Sequence, residues 1–162
     1  AAVANSAVIT DWTAATYLID IDFTNIDTGR NIVDLSDGSD AAATDGGVEV
    51  ITGAFDLGTA DATDNILVVN LTAGIADSNA LETAFEYGGS LQLTADGALS
   101  VGDSWFAVYD DTVSTYIALV TTNNDVPDNG WFGSGTLTAT NLIKLTGVAD
   151  ATDVVVNEID FT

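Results

Sequence analysis

Aspartate is the side chain through which this chain could do chemistry. Its densest grouping is Asp34-Leu35-Ser36-Asp37-Gly38-Ser39-Asp40, with Asp45 just beyond. Glycine beside aspartate lets the backbone turn tightly enough for carboxylates and carbonyls to converge on one hard cation, and calcium takes about six to eight such oxygens. The spacing departs from that of an EF-hand, which alternates its acids and closes with a glutamate. A second stretch, Asn123-Asn124-Asp125-Val126-Pro127-Asp128-Asn129-Gly130, places five oxygen-bearing side chains in eight residues. Asp110-Asp111 is a third, at the tip of an expected hairpin. The second stretch also reads more simply as an Asx-rich turn, because a short carboxylate or amide bonds its own backbone. Calcium is the expected cofactor. Its expected ligands are drawn from Asp34, Asp37, Asp40, Asp45, Asn123, Asp125, Asp128, Asp110 and Asp111.

Other chemistries find less support. Cys, His and Met are absent, so there is no disulfide framework, thiolate or imidazole metal site, cysteine nucleophile or Ser-His triad. Glycosidases use two acids at a set separation, but with 25 acids in the chain finding a pair is no argument. No catalytic role is expected. Aromatic platforms are the alternative: Trp12 and Trp131 are candidates for stacking sugars, while Trp105 belongs in a core. Trp131-Phe132 lies between Gly130 and Gly133, a setting for an exposed ring. Asn70-Leu71-Thr72 matches a glycosylation sequon at the end of an expected buried strand.

Net charge narrows the partners. The 25 acids are opposed by Arg30 and Lys144 alone, for a formal charge of −23. Such a surface cannot neutralise phosphates, which excludes nucleic acid and anionic membrane. Glutamate occurs only at Glu49, Glu82, Glu86 and Glu158; aspartate supplies the rest, which points to acidic turns. Two carboxylates held about 5 Å apart repel by roughly 3 kcal/mol at an effective dielectric near 20, so the fold needs counterions. A solvated acidic surface of the kind suited to high salt is the plainer reading. No apolar run reaches the length of a spanning helix, so membrane insertion is not expected.

The elements that must position these groups are strands. Ser104–Asp110 and Thr115–Thr121 are aromatic and β-branched runs joined by the polar segment Asp111 to Ser114. In the first, Trp105, Ala107 and Tyr109 face one way and Phe106 and Val108 the other, so the hairpin belongs inside a sheet. Tyr17–Asn25 alternates apolar and polar, Ile66–Leu71 is uniformly apolar and central, and Val48–Phe55, Leu91–Thr94, Leu137–Leu145 and Val154–Phe161 add further strands. Short strands are also expected within Ser6–Thr10 and Asn31–Leu35. One short helix spans about 77–88, capped by Asp77 or Ser78 and stopped by Gly88-Gly89. The expectation is a single all-β domain over residues 1–162, a β-sandwich or Greek-key barrel of about nine or ten strands. Two echoes accompany it: Gly58–Asp64 recurs as Gly147–Asp153, and Ile-Asp-Phe-Thr occurs at Ile21–Thr24 and Ile159–Thr162.

The second half, roughly Asn65 to Thr162, resembles the β-strand-rich domains of large secreted bacterial surface proteins: RTX-type adhesins, S-layer proteins and type I-secreted C-terminal modules. The residues that carry this are Leu67–Leu71, the helix with Ala84-Phe85, Gly102–Asp111, Leu142–Asp153 and Asp160-Phe161. The RTX nonapeptide is absent, so a calcium β-roll does not follow. The resemblance implies an extracellular, calcium-stabilised, non-enzymatic domain. The overall expectation is a structural subunit of a cell-surface filament, sheath or S-layer that polymerises with copies of itself. Residues 1–10 are the segment best suited to be an exchangeable strand. A carbohydrate-binding module that recognises cell-surface polysaccharide is the alternative.

Overall fold

The structure is a computed structural model; it describes residues 7–10, 12, 19–21, 31–33, 35, 47–60, 64–154 and 159–161. Along the chain run β1 (Ala7–Ile9), β2 (Ile19–Ile21), β3 (Asn31–Ile32), β4 (Gly47–Ile51), β5 (Phe55–Asp56), β6 (Asp64–Val69), α1 (Ser78–Phe85), β7 (Leu93–Thr94), β8 (Asp103–Asp110), β9 (Ser114–Thr122), β10 (Leu137–Thr146) and β11 (Ile159–Phe161). Single turns of 3-10 helix occur at Leu57–Thr59 and Ala151–Asp153. The fold is all-β and sandwich-like, with one short helix. A seven-stranded mixed sheet follows the order β1-β10-β9-β8-β6-β4, and β3 pairs with the start of β8.

The two-faced hairpin sits at the centre, as its sequence requires. Every residue of β8 is buried. On one face Trp105, Ala107, Tyr109, Ala118, Val120, Leu67 and Val69 meet Leu81, Ala84 and Phe85 of α1 together with Phe132. On the other, Phe106, Val108, Ile117, Leu119, Ile66 and Val68 meet Ile19, Val148, Ala151 and Val154. Layers on both sides explain why Ile66–Val69 of β6 and Trp105–Tyr109 of β8 are apolar on both faces instead of alternating with polar residues.

Strand direction follows from the connections. β8–β9 and β9–β10 are antiparallel hairpin neighbours, whereas β4–β6, β6–β8, β3–β8 and β1–β10 are parallel. Between β6 and β8 the chain crosses through α1 and β7, and such a crossover returns the next strand in the same direction. The segment expected as one strand over Val48–Phe55 breaks at Thr52–Ala54 into β4 and β5. Of Val154–Phe161, only β11 is a strand among the described residues.

Helix α1 closes the outer edge of β10. Asp77 caps it by accepting from the Ala80 amide at 2.9 Å, and it ends at Glu86 before Gly88, whose φ of +83° is easily reached only by glycine. Glu82 and Glu86, one turn apart, reach across: the Ala139 amide donates to Glu82 at 2.7 Å and the Gly135 amide to Glu86 at 2.5 Å. Further along, past a register shift between Asn141 and Ile143, β1 covers the same edge by pairing Ala7 with Ile143 and Ile9 with Leu145. Unpaired edge amides invite another chain; here side-chain carboxylates and a short strand divide the task.

Among the described residues the Gly58–Asp64 and Gly147–Asp153 copies do not share a conformation. In the first copy the 3-10 turn starts before Gly58 and is capped by Asp56, and Asp64 already belongs to β6. In the second the turn covers Ala151–Asp153 and Asp150 caps it. β11 pairs in parallel with β2, Ile159 opposite Ile19 and Phe161 opposite Ile21, so the last strand lies beside the segment that leads into the first Ile-Asp-Phe-Thr copy and not in register with that copy.

One core position carries a cost. Asn65 is 1% exposed, and neither its amide nitrogen nor its carbonyl oxygen has a hydrogen-bond partner. An orphaned buried polar group costs about 1–3 kcal/mol. Asn65→Leu, similar in volume, is therefore expected to raise unfolding stability by about 1 kcal/mol or more in urea titrations; a loss of stability would show that the amide is satisfied in solution.

Candidate functional site

The acids at the tip of the central hairpin fold back on their own backbone. Asp111 accepts from the amides of Val113 at 2.9 Å and Ser114 at 2.7 Å, and from the Tyr116 hydroxyl at 2.8 Å. These bonds shorten the expected loop to Asp111–Val113, with Ser114 already in β9. Buried Asp110 accepts from the Thr112 amide at 2.9 Å and from Ala151 at 3.3 Å. The two neighbours therefore have different roles: one shapes the turn, and the other ties the hairpin to the segment after β10.

A cleft of about 270 Å³ opens beside this tip, lined by Asn70, Leu71, Thr72, Asp110, Thr112, Ala149 and Asp150. It joins three stretches that look unrelated in sequence: the sequon, the hairpin and the second copy of the repeat. Asn70, expected at a buried strand end, is exposed. Gly74, at φ +64°, lets the chain pass close to the hairpin tip, since a Cβ there would lie 2.9 Å from the Asp110 carbonyl. Asp150 accepts from the amide and hydroxyl of Thr152 at 2.9 and 2.7 Å. Both carboxylates are thus already held by protein donors.

The second oxygen-rich stretch fastens one loop to another. Asp125 accepts from the Val101 amide and Asp128 from the Gly97 amide, each at 3.1 Å. Leu99 and Val126 exchange backbone bonds between them. Asn123 is turned elsewhere, its amide donating to Thr138 at 2.9 Å and to the Gly135 carbonyl at 3.3 Å. Among the described residues no group of three or more acidic side chains is gathered as a metal would need. Asp34, Asp37, Asp40 and Asp45 lie outside the described residues.

Charge and burial tune several groups. Partial burial raises the Asp111 carboxyl, but bonds from Tyr116, Ser114 and Val113, with Lys144 nearby, outweigh it and hold the group below the usual carboxylate range. Asp150 is lowered chiefly by its two bonds from Thr152. Burial pushes the Tyr109 phenol well up, although its bond to Asn141 opposes this. Lys144 is raised, first by Tyr116, over whose ring its ammonium sits at 5.1 Å.

The aromatic candidates separate. Trp105 is fully buried, as expected, and Trp12 is half-buried against the second core cluster, a poor position for a sugar platform. Trp131 is exposed and lies against Tyr87, ring centroids 4.8 Å apart. Tyr87 was not legible as its partner, because the two are brought together only by the path from α1 across β7. No protein-family model matches the chain, and neither curated proteins nor solved structures gave a match.

The lowered Asp111 pKa has a signed consequence. Its contribution to stability is fully present above the unfolded value of about 3.9 and disappears as pH falls through the lower folded value. Asp111→Asn is therefore expected to be less stable than the parent at pH 7, with the gap closing in strong acid; a gap that persists unchanged at pH 2 would contradict this. For the 123–130 stretch, Asp125→Ala and Asp128→Ala should each cost about 1 kcal/mol, equally with calcium and with chelator. Loss of a calcium-dependent shift in melting temperature in either variant would make them metal ligands instead.

Proposed function

We propose that the chain is a structural subunit of an extracellular or cell-surface assembly, a filament, sheath or S-layer, in which copies join through β-strands. What supports this most is the way β1 is attached. It pairs with β10 over three residues, while Ala7 and Val8 leave their side chains exposed, Val8 at 59%. A strand held mainly by backbone bonds is one that the same strand of another copy can replace, since β-addition draws its affinity from those bonds. At the far side of the sheet β4 pairs only with β6 among the described strands, and Val50 is 48% exposed.

The supporting chemistry is that of the sequence. A charge of −23 makes close approach of copies unfavourable without counterions, and calcium at acidic loops, Asp34–Asp45 foremost, supplies them. The resemblance to secreted bacterial surface proteins agrees with this reading and with an extracellular location. No helix among the described residues is long and apolar enough to cross a membrane. The reading assigns no catalysis.

Val8→Pro tests the attachment, because proline removes an amide and cannot extend a ladder. The variant is expected to keep its fold, judged by circular dichroism, and to lose most of its high-mass species in sedimentation velocity. Undiminished assembly would remove β1 from the interface.

A further inference from the structure

We propose that Tyr87 and Trp131 form a stacking site for a neutral sugar ring, a binding function separate from assembly. They are the exposed aromatic side chains among the described residues, 63% and 56% accessible, and they touch each other. The remaining exposed large apolar residues among the described ones are all valines: Val8, Val50, Val101 and Val113.

The mounting is rigid although the rings are outside. The Tyr87 amide donates to the Phe132 carbonyl at 2.7 Å, and Trp131 bridges Thr94. Phe132, next in the chain to Trp131, is fully buried against Trp105 at a centroid distance of 5.6 Å. One ring of the Trp131-Phe132 pair anchors the core so that the other is held in water. A site fixed before binding loses little freedom when it is filled.

Size and charge select the occupant. Aromatic side chains offer about 150–250 Å² each when fully covered, so a pair exposed to this degree presents on the order of 250 Å². A stable protein interface needs about 800 Å² per partner, which this patch does not reach, whereas one or two pyranose rings match it. The C–H face of a pyranose packs on the negative face of an aromatic ring. Its hydroxyls need polar neighbours, and two residues tied to the chain around Tyr87 carry them: Glu86, next to Tyr87, has one carboxylate oxygen on Gly135, and Gln92 accepts from the Gly88 amide through its carbonyl. The net charge of −23 disfavours anionic glycans. A quaternary ammonium ion would be attracted by both the acids and the rings, and it is the occupant to be distinguished.

The full chain should be titrated with cellohexaose, chitohexaose, maltohexaose and tetramethylammonium chloride, following tryptophan fluorescence and binding heat. Trp105 is buried and half-buried Trp12 also emits, so the response assigned to Trp131 is the part lost in Trp131→Ala. At least one hexasaccharide is expected to quench and blue-shift the emission. Trp131→Ala and Tyr87→Ala should weaken that binding by about tenfold, Trp131→Phe should retain most of it by calorimetry, and the melting temperatures should stay within a degree or two of the parent. The proposal is overturned if no hexasaccharide binds, if only tetramethylammonium binds, or if binding survives both alanine variants. Assembly should be unaffected in every variant, so failure here and failure of the subunit reading are separate results.

Discussion

The structure depends on a hairpin with no wet face. β8 and β9 put large apolar side chains on both sides of the same two strands, and neither side can be left to solvent without exposing Trp105 and Tyr109 or Phe106 and Val108. Each face must therefore be roofed. The chain before the hairpin supplies α1 and the loops over one side, and the 3-10 turn with Val148, Ala151 and Val154 covers the other. Flanking strands then protect its edges: β10 beyond β9, and β6 with β3 beyond β8. Parallel pairing is a consequence, because a strand that must return beside its predecessor after laying a helix on the sheet runs the same way.

A chain this acidic has few cations to pair its carboxylates, and it uses backbone amides instead. Asp56, Asp77 and Asp150 cap helical turns; Asp103, Asp110 and Asp111 shape the ends of the hairpin; Asp125 and Asp128 fasten neighbouring loops. Bonds from an amide to an ionised carboxylate are stronger than neutral ones, so the same residues that create repulsion also order the turns. Glu82 on α1 and Glu86 at its C-cap do what aspartate is too short to do, reaching the Ala139 amide on the edge of β10 and the Gly135 amide just before that strand. Scarcity of glutamate elsewhere gives these two a distinct structural meaning.

What was legible in the sequence was whatever local pattern enforces. The two-faced hairpin, the apolar run Ile66–Val69 within β6, the capped helix and the early strand at Ala7–Ile9 all rest on periodicity and capping, and the structure contains each near its expected bounds. Pairing between distant segments was not legible. Nothing in Ile19–Ile21 or Ile159–Phe161 announces that they lie side by side, and the strong repeat at Gly58 and Gly147 misleads, because its surroundings decide which residues turn. The site followed the same rule. Trp131 was visible as a tryptophan between glycines, while Tyr87 and the cleft joining Asn70, Asp110 and Asp150 exist only through tertiary folding. The acid clusters looked like ligand sets, yet within the described residues their oxygens face amides, a difference that composition cannot encode.

An edge strand held by its backbone and a surface of concentrated negative charge pull in opposite directions, one toward association and the other against it. Calcium is the agent proposed to settle that contest. The most direct measurement is particle size by light scattering with negative-stain microscopy, first in millimolar calcium and then in excess chelator. Ordered polymers with calcium that dissolve on chelation are the expected result. A monodisperse monomer in both conditions would contradict a calcium-linked, strand-joined assembly.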